Sequence, residues 1–255
     1  MKSYQDLNLT IEAGIARLYL NRPDRLNAVR NHTGDELQEA WDALENNPDV
    51  RVVIVSGEGR AYGAGYDLST VNPQEELRLE EVLEKHFNPV VRKMRRSRLP
   101  IISRVHGPCA GASVGLALAG DIVIAARSAY FFEPFVGIAL VPDAGNTLFL
   151  PRAIGRVRAA PMMLLGDRIS AEEAERWGLV WKVCDDDKID AEVDAIADRL
   201  VKQSPQAVAS TKRLIAMAAE PDLDVLLDLE RDLQGEAGRS PEVKAAVAAF
   251  FAKRK

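Results

Sequence analysis

Two short stretches of this sequence contain residues that could do chemistry, one rich in glycine and one with a carboxylate. The first, Gly107–Gly120, reads "GPCAGASVGLALAG", with glycines at 107, 111 and 115 and almost no side chains. Three kinds of structure use such a run: a membrane helix packed through small residues, a loop that cradles phosphate, and a turn whose bare backbone approaches a ligand. The second, "LVPDAGN", offers Asp143 either as an acid or base or as a turn residue that hydrogen-bonds its own backbone.

Two of the three interpretations of the glycine run fail. The run has 14 residues, whereas a helix needs about 20 apolar residues to cross a bilayer. Its spacing, G-x-x-x-G-x-x-x-G, is not the GxGxxG of dinucleotide-binding proteins, and the Lys-Ser or Lys-Thr pair of a P-loop does not follow it. The residues alone then leave two interpretations, a turn whose backbone approaches a ligand and glycines that serve only close packing.

The composition excludes several classes of protein. Of the 255 residues, 47% are hydrophobic and 28% are charged, as in an ordinary soluble globular protein. A net charge of −5 argues against a nucleic-acid partner, which needs concentrated positive charge. Cys109 and Cys184 are too few for a disulfide framework and belong to no cluster with metal-ligand spacing. The cysteines therefore predict a reducing cytoplasm and no metal site. The N-terminus has no apolar signal segment and the glycine run is too short to cross a bilayer, so we expect no membrane partner.

The elements that must position these residues alternate between strands and helices. "NLTIEAGIARLYLN" predicts two strands that meet at the turn Glu12-Ala13-Gly14, and "HTGDELQEAWDALENNP" predicts a helix with an apolar face. "VRVVIVSGEG", "LPIISRVHG" and "DIVIAARS" are nearly continuous apolar runs, typical of strands covered on both faces. This order predicts an α/β fold with right-handed crossovers.

The last quarter of the chain has a different pattern. From about Ala191 it is helical almost without interruption, and Ser204-Pro205 and Ser240-Pro241 are helix starts with proline in the first turn. The sequence therefore predicts a core over 1–195 and a C-terminal helical region over 196–255.

Several other conspicuous residues have plain structural interpretations. The basic run at 92–98 is interpreted as a solvated helix face, and Trp177 and Trp181, four residues apart, as core residues. His106 is expected to hydrogen-bond loop backbone, and Glu133 to form a salt bridge. A role for Glu133 as a second acid is the alternative, if it shares a strand face with the residue two positions later.

Six stretches spread along the chain carry a family resemblance. They are "NRPDRLNAV" (21–29), "GRAYGAGYDL" (59–68), "HGPCAGASVGLALAGD" (106–121), "ALVPDAGNTLFLPRAIG" (139–155), "LLGDRISAEEAERWGLV" (164–180) and the closing "AGRSPEVKAAVAAFFAKR". In this order and at this spacing they resemble the enoyl-CoA hydratase/isomerase family, also called crotonases. The resemblance implies an α/β crotonase fold, a ClpP/crotonase-like spiral of ββα units with a C-terminal helical trimerisation region, in a homotrimer or homohexamer.

The resemblance also implies what the glycine-rich turn does. In this family two backbone N–H groups bind the thioester carbonyl of an acyl-CoA and stabilise the enolate that develops on it. Carried over by motif, these donors are the amides of Ala64 and Ala112. Small residues are needed there because a larger side chain would block the carbonyl from the backbone. A helix should begin at Ala112, where the helix dipole would favour the developing charge.

The chain departs from the family pattern for hydration, which uses two glutamates. These would fall at Gly115 and Phe135, so ordinary hydratase activity is not expected. Asp143 lies where several members place their working carboxylate, among them dienoyl-CoA isomerases, the ring-epoxide isomerase of phenylacetyl-CoA catabolism and 4-chlorobenzoyl-CoA dehalogenase. The C-terminal half looks most like the ring-epoxide isomerase type, whereas Tyr66 is unusual at its position and could reshape the acyl pocket.

The predicted reaction is a double-bond shift in an unsaturated acyl-CoA. Asp143 would take a proton and return it at another carbon, while the amides of Ala64 and Ala112 hold the enolate oxygen. Apolar neighbours such as Phe135 and Leu140 would raise the pKa of such a base by desolvation. The alternatives are another crotonase reaction, namely epoxide or dienoyl isomerisation, hydration, or dehalogenation or hydrolysis with Asp143 as nucleophile, or a non-catalytic acyl-CoA binder. The expected partner is an acyl-CoA thioester, with no cofactor beyond the coenzyme A of the substrate.

The resemblance assigns further residues to substrate and CoA binding. They are Arg25, Asn27, Ala28, Ala61, Gly65, Tyr66, Asp67, Leu68, Gly111, Phe135, Phe250 and Lys253. Among these, Arg25 would lie near phosphate and the Ala28 backbone near the adenine. Phe250 and Lys253 match positions that reach the adenine end from a neighbouring subunit.

Overall fold

The main sheet starts from the hairpin that the sequence predicts. The computed structural model describes residues 2–72, 74, 76–219, 223–239 and 241–252. In it, β1 (Leu7–Glu12) pairs antiparallel with β2 (Ile15–Leu20). Ala13 and Gly14 between them have φ values of 49° and 84°, and the two positive values are what a tight two-residue hairpin turn requires.

Parallel strands complete this sheet, and a smaller sheet lies beside it. The other described strands are β3 (Val52–Gly57), β4 (Ile101–Val105), β5 (Pro108–Ala110), β6 (Ile122–Ala126), β7 (Tyr130–Phe132), β8 (Ile169–Ser170) and β9 (Lys182–Cys184). The main sheet has the order β1-β2-β3-β4-β6-β9, parallel from β2 onward. The smaller sheet has the order β5-β7-β8, so β5 carries the chain from the main sheet into the glycine-rich turn.

Helices connect the strands and form the C-terminal part of the chain. They are α1 (Asn31–Glu45), α2 (Leu79–Val82), α3 (Asn88–Arg96), α4 (Ala112–Leu118), α5 (Asn146–Ile154), α6 (Arg156–Leu165), α7 (Ala171–Trp177), α8 (Ile189–Val201), α9 (Pro205–Ala219), α10 (Leu223–Gly238) and α11 (Pro241–Ala252). A π-helical turn, Leu83–Phe87, joins α2 to α3. Short 3₁₀ turns cover Pro23–Arg25, Leu68–Thr70 and Val136–Ile138. Helices α9 and α11 begin at the predicted prolines, because proline lacks the N–H that the first helical turn leaves unpaired.

Strand β3 shows why the apolar runs are nearly continuous. Val53 and Val55 face a large core shared with α1 and α3, whereas Val52 and Ile54 face a second core on the opposite side of the sheet. Since successive side chains of a strand point to opposite faces, a sheet covered on both sides needs apolar residues at every position. Each such side chain contributes about 1.5–3 kcal/mol when fully buried.

Helix α8 covers the second face of the sheet. Its Ile189, Val193 and Ile196 are buried in the core that contains Ile54 of β3. The predicted division after residue 195 falls within this helix, so the chain passes from strands to helices without a linker there. The division into two domains stays a prediction.

The basic run at 92–98 docks a C-terminal helix, so its interpretation as a solvated face is wrong. Arg92 on α3 pairs with Asp224 (3.2 Å) and Asp228 (3.0 Å) of α10, and Arg96 also pairs with Asp224. The acidic partners lie more than 120 residues away in the chain, and a local charge pattern carries no information about them. These ion pairs fasten α10 beside the core.

The prediction that Trp177 and Trp181 are core residues is wrong for Trp181. Trp177 packs partly buried against the main core, but 58% of Trp181 is exposed. Helix α7 ends at Trp177, and Gly178 takes the left-handed conformation (φ 82°), so the four-residue spacing does not continue along one helix face. Among the described helices, none has the length and apolar character needed to span a bilayer.

Candidate active site

Backbone hydrogen bonds join the turn around Ala64 to the start of α4. Gly63 forms a bridge with Cys109 at the beginning of β5, through bonds with the backbone on either side of that residue. The N–H of Gly65 donates to the Ser113 hydroxyl at 3.1 Å, one residue beyond Ala112. Ala64 and Ala112 are therefore held on two turns that face each other.

Two glycines let these turns approach. At Gly65 (φ 83°), an added Cβ would lie 3.0 Å from the Ala110 carbonyl oxygen and 3.5 Å from the Ala112 nitrogen. At Gly111 (φ 55°), it would lie 3.6 Å from the Phe135 ring. Both glycines have backbone angles that L side chains rarely adopt, so the glycine-rich pattern reflects conformation as well as space.

The amides of Ala64 and Ala112 are available to a ligand. Both residues line one cavity. In the described part of the chain, no backbone carbonyl accepts a hydrogen bond from either amide. Ala112 is the first residue of α4, as predicted, so its N–H precedes the intrahelical hydrogen bonds. Two such N–H groups beside one cavity would suit the binding of a developing oxyanion, which stays a prediction here.

Asp143 lines the same cavity as Ala64 and Ala112. Asp143 is 8% exposed, and it lies in a tight turn where Ala144 and Gly145 both have positive φ (54° and 86°). The backbone carbonyl of Asp143 accepts a 3.0 Å hydrogen bond from the N–H of Asn146, the first residue of α5. One carboxylate oxygen accepts a 3.0 Å hydrogen bond from the side chain of Gln234 on α10.

The packing of Gly115 explains why a glutamate is absent there. A Cβ at this position would lie 2.3 Å from the Ala144 carbonyl oxygen and 2.8 Å from the Ala144 Cβ. The turn that carries Asp143 thus occupies the space that a side chain at residue 115 would need. In this chain the glycine at 115 and the close packing of the Asp143 turn therefore depend on each other.

The cavity is strongly apolar apart from Asp143. It holds about 810 Å³, counted with its open mouth. Its described lining consists of Ala64, Gly65, Tyr66, Leu68, Val71, Leu77, Leu79, Val82, Leu83, Phe87, Gly111, Ala112, Pro134, Phe135, Ile138, Leu140, Asp143, Gln234 and Val247. In this set Asp143 is the one carboxylate and Tyr66 the one other titratable group. Such a lining suits an apolar acyl chain more than a charged one.

Tyr66 closes one side of the cavity. Its ring meets Phe87 edge to face with centroids 5.8 Å apart, and its hydroxyl donates a 3.0 Å hydrogen bond to Asn31. Burial raises the pKa of Tyr66 above its ordinary value, so the hydroxyl stays protonated near neutral pH. The side chain therefore acts as a fixed wall, in line with the expectation that it shapes the acyl pocket.

Two predicted CoA-binding residues, Asp67 and Asn27, are buried in the protein and do not line the cavity. Asp67 is buried, and its carboxylate accepts hydrogen bonds from the Ser69 amide (3.1 Å) and from Arg22 (2.8 Å). Burial alone would raise the pKa of Asp67, but the hydrogen bonds from Ser69 and Arg22 outweigh it and lower the pKa. Asn27 is also buried and donates to the carbonyls of Glu58 (2.8 Å) and Ala61 (2.7 Å). These contacts position the loops that would border the substrate.

The remaining CoA-binding predictions concern more peripheral residues. Arg25 is exposed at the end of a 3₁₀ turn, and the carbonyl of Ala28 accepts a hydrogen bond from Arg22. Phe250 packs edge to face on Phe251, with centroids 5.5 Å apart, and is not among the cavity residues. Lys253 lies outside the described residues. The contacts of these residues with CoA stay predictions.

The other sequence candidates lie away from the cavity. Glu133 is fully buried beyond the end of β7, so it does not share a strand face with Phe135, and it is absent from the described lining. One ring nitrogen of His106 lies 2.9 Å from the carbonyl of Gly59, as expected for a residue that fixes a loop. Burial raises the pKa of Cys109 well above its ordinary value, which makes it an inert core thiol. No group of three or more possible metal ligands occurs in the described chain.

Sequence reasoning missed the polar residues that hold the site together. The hydroxyl of Ser113, within the glycine-rich stretch, accepts a hydrogen bond from the Gly65 amide of the Ala64 turn, and Asn146 donates one to the Gly111 carbonyl (3.1 Å). Gln234 contacts the Asp143 turn from α10. Ser113 and Asn146 both lie within stretches that carry the family resemblance, so their place in the sequence was an available signal. Gln234 carried none, because a glutamine in an amphipathic helix resembles a solvated residue.

Comparison with known proteins agrees with this geometry. The chain is 41% identical over 249 residues to the 1,2-epoxyphenylacetyl-CoA isomerase of Escherichia coli K12, covering 96% of this chain and 94% of that protein. It is 37% identical to a probable enoyl-CoA hydratase of Rhodobacter capsulatus, covering 99% and 97% of the two chains. The crystal structure of an enoyl-CoA hydratase from Mycobacterium avium subsp. paratuberculosis superposes with a TM-score of 0.90 at 33% identity, covering 98% and 97%.

The match to the family extends over most of the chain. Residues 10–255 match the enoyl-CoA hydratase/isomerase family, and the strand and helix order is that of its structural relatives. The predicted crotonase fold is therefore confirmed. With its facing backbone turns and cavity carboxylate, this chain belongs to the enoyl-CoA hydratase/isomerase family.

Proposed function

We propose that this enzyme isomerises an unsaturated acyl-CoA, with Asp143 as its single acid and base. The observation that carries the proposal is that Ala64, Ala112 and Asp143 line one apolar cavity in which Asp143 is the one carboxylate of the described lining. Membership of the family supports an acyl-CoA substrate. The choice between a double-bond shift and other reactions of the family is the part that needs an experiment.

In the proposed reaction, the thioester oxygen accepts hydrogen bonds from the amides of Ala64 and Ala112. Asp143 removes an α-proton from a β,γ-unsaturated acyl group, and the electron pair of the broken C–H bond moves onto the thioester oxygen to form a dienolate. The protonated Asp143 then returns the proton to the γ-carbon as the electron pair moves back from the oxygen, so the double bond shifts from the β,γ to the α,β position and atoms and charge balance. One carboxyl group serves both steps because the proton leaves and returns. The reaction uses no cofactor beyond the substrate's coenzyme A.

The same geometry disfavours hydration. Syn addition of water needs one group to activate the water and another to deliver a proton. The family's two glutamate positions are Gly115, which packs on Ala144, and Phe135, which is apolar. We expect hydration of 2-enoyl-CoA to be at least tenfold slower than double-bond migration.

The test is a panel of 3-enoyl-, 2-enoyl- and 3,5-dienoyl-CoA thioesters given to the wild type, Asp143→Asn and Glu133→Gln. Loss of general acid-base catalysis should lower migration by about 10²–10⁴-fold in Asp143→Asn. Glu133→Gln, which removes a buried carboxylate outside the cavity, should retain most of the activity in correctly folded protein. Equal migration in wild type and Asp143→Asn would remove Asp143 from the mechanism. Binding without turnover in all three proteins would favour a non-catalytic acyl-CoA binder.

A second candidate is ring-epoxide isomerisation. It is favoured by the 41% identity to the 1,2-epoxyphenylacetyl-CoA isomerase over nearly the whole chain. The same panel should therefore include that relative's named substrate. Turnover of the epoxide at a rate above that of every enoyl-CoA would make it the main activity. A burst followed by a covalent intermediate on Asp143 would instead indicate a nucleophilic mechanism.

We also propose a homotrimer or homohexamer in the cytoplasm, as the family resemblance implies. Large apolar side chains that are exposed in the single chain support an assembly. They are Val157, Leu164, Leu165, Trp181, Leu214 and Ile215. Light scattering coupled to gel filtration should give three or six times the 28.0 kDa chain mass.

A further inference from the structure

Gln234 reaches the Asp143 turn from a helix far away in the chain. It lies on α10, is 1% exposed, and makes three hydrogen bonds with the turn. Its Oε1 accepts from the N–H of Val141 at 3.1 Å, and its Nε2 donates to the Val141 carbonyl at 2.7 Å. The same Nε2 donates to the Asp143 carboxylate at 3.0 Å.

These contacts fix the orientation of the amide. The Val141 carbonyl and the Asp143 carboxylate both accept hydrogen bonds, so the nitrogen must face them, and the oxygen must face the Val141 N–H. Rotating the amide by 180° would place an oxygen against two acceptors. A glutamine is thus the neutral side chain of the right length to satisfy both the backbone and the carboxylate.

The ion pairs of α10 hold Gln234 in place. Arg92 on α3 binds Asp224 and Asp228, which lie ten and six residues before Gln234 on the same helix. Gly235, the next residue, packs so closely that a Cβ there would lie 2.4 Å from the Glu80 carboxylate. The helix therefore presents Gln234 at a fixed distance from the Asp143 turn.

We propose that Gln234 is a positioning residue, whose carboxamide holds the Asp143 carboxylate ionised and aimed at the oxyanion turns. The inference rests on the proposed function of Asp143. A hydrogen bond donated to a carboxylate favours its charged form, so Gln234 should keep the base ready to accept a proton. It also restrains the carboxylate to one geometry, which proton transfer requires.

The described charged groups on the elements around the turn are paired with other residues, exposed or outside the cavity. Helix α4 (Ala112–Leu118) and the 3₁₀ turn at 136–138 contain no titratable side chain. On α10, the carboxylates of Asp228 and Asp232 are partners of Arg92 and Arg231. Glu133 lies outside the cavity, Arg152 of α5 and Lys244 of α11 are exposed, and Tyr66 is protonated near neutral pH.

The experiment measures the titration of Asp143 and the pH dependence of turnover in Gln234→Leu and Gln234→Glu. Aspartate labelled with ¹³C at the carboxyl carbon reports the titration by NMR, and Asp143→Asn identifies the signal. In Gln234→Leu the Asp143 pKa and the acid limb of kcat should both rise by about one pH unit, with kcat lowered about 10–100-fold at neutral pH and KM changed less than threefold. Gln234→Glu, which still accepts from the Val141 N–H, should raise the pKa further by charge repulsion.

Gln38→Leu is the matched control. Gln38 also clamps backbone carbonyls, those of Lys85 (2.9 Å) and His86 (3.3 Å), but lies away from Asp143. Its loss should lower thermal stability without moving the acid limb. A variant of Gln234 with lower stability but an unchanged Asp143 titration would overturn the proposal and leave only a structural role. If Asp143→Asn were fully active, the proposed function would fail, and the NMR titration alone would still decide whether Gln234 holds the carboxylate ionised.

Discussion

The two walls of the cavity are built in different ways. The oxyanion wall, named for its proposed role, carries the backbone N–H groups of Ala64 and Ala112 on two turns, which are joined by the Gly63–Cys109 bridge and the Gly65–Ser113 hydrogen bond. The acid-base wall is a single side chain, Asp143, on a turn clamped by the side chain of Gln234 from α10. Backbone donors are present whatever the side chain is, whereas a carboxylate exists only where the sequence supplies it. Substitutions can therefore change the acid-base side chain, and with it the reaction, while the backbone donors stay in place.

Short of removing Asp143 itself, the largest effect is expected from removing one donor of the oxyanion wall. Ala112→Pro replaces the N–H at the first position of α4, where proline is tolerated in a helix. Loss of one oxyanion donor should lower kcat by about 10²–10³-fold, with little change in the Kd of a CoA thioester. Steady-state kinetics and isothermal titration measure the two quantities.

Arg156→Pro is the control for the proline itself. Arg156 is the exposed first residue of α6 and, like Ala112, follows a glycine N-cap with positive φ. This variant should keep wild-type kcat. If Ala112→Pro also kept it, backbone N–H donation at this turn would contribute nothing to the rate, and the comparison between the two walls would collapse.

A smaller effect should follow from pushing the acid-base wall out of position. Gly115→Ala places a Cβ within 2.3 Å of the Ala144 carbonyl, so the Asp143 turn must shift. Overpacking of this kind costs about 1–3 kcal/mol, and the displaced carboxylate should lower kcat by about tenfold. Thermal unfolding and kcat should change together.

Gly137→Ala provides the matched comparison, because a Cβ there meets no atom within 4 Å. It should leave both quantities unchanged. Gly115→Glu sharpens the point further. If this variant gained hydratase activity, the Asp143 turn would be yielding enough to admit the second carboxylate, contrary to the mutual dependence of Gly115 and Ala144.

The sequence predicted the oxyanion wall better than the acid-base wall, for physical reasons. Positive backbone angles and close approach leave a local signature in glycine, and strands covered on both faces leave one in continuous apolar runs. Helix α4 and strand β3 were predictable on these grounds. The Gln234–Asp143 contact joins residues 91 apart, and the Arg92–Asp228 pair joins residues 136 apart. Long-range polar contacts of this kind depend on how helices dock, which local pattern does not encode.

Substitution of Asp6, which lies behind the oxyanion wall, is expected to have the smallest effect on activity and a clear effect on stability. Asp6 is buried and accepts hydrogen bonds from Arg30 (2.8 Å) and Thr33 (2.6 Å). Its carboxylate also lies 3.9 Å from Arg22, which binds Asp67 behind the Ala64 turn. Burial alone would raise the pKa of Asp6, but the bonds from Arg30 and Thr33 outweigh it and lower the pKa below its unfolded value. The Asp6–Arg30 pair therefore contributes its full stability above about pH 4. This contribution is lost as the pH falls through the pKa that Asp6 has in the folded protein.

Asp6→Asn should reduce the free energy of unfolding by about 2 kcal/mol at pH 7, less than for a fully buried pair because Arg30 is partly exposed. The difference from wild type should shrink below about pH 4, where the wild-type carboxylate becomes protonated as well. Denaturant unfolding across pH measures this, with Asp198→Asn on the exposed face of α8 as the control that changes charge alone. The pH profile of kcat should not change in Asp6→Asn, because it depends on Asp143 and Gln234. If Asp6→Asn moved the acid limb of kcat instead, protonation behind the oxyanion wall would be coupled to the base, and the two walls would be one electrostatic unit.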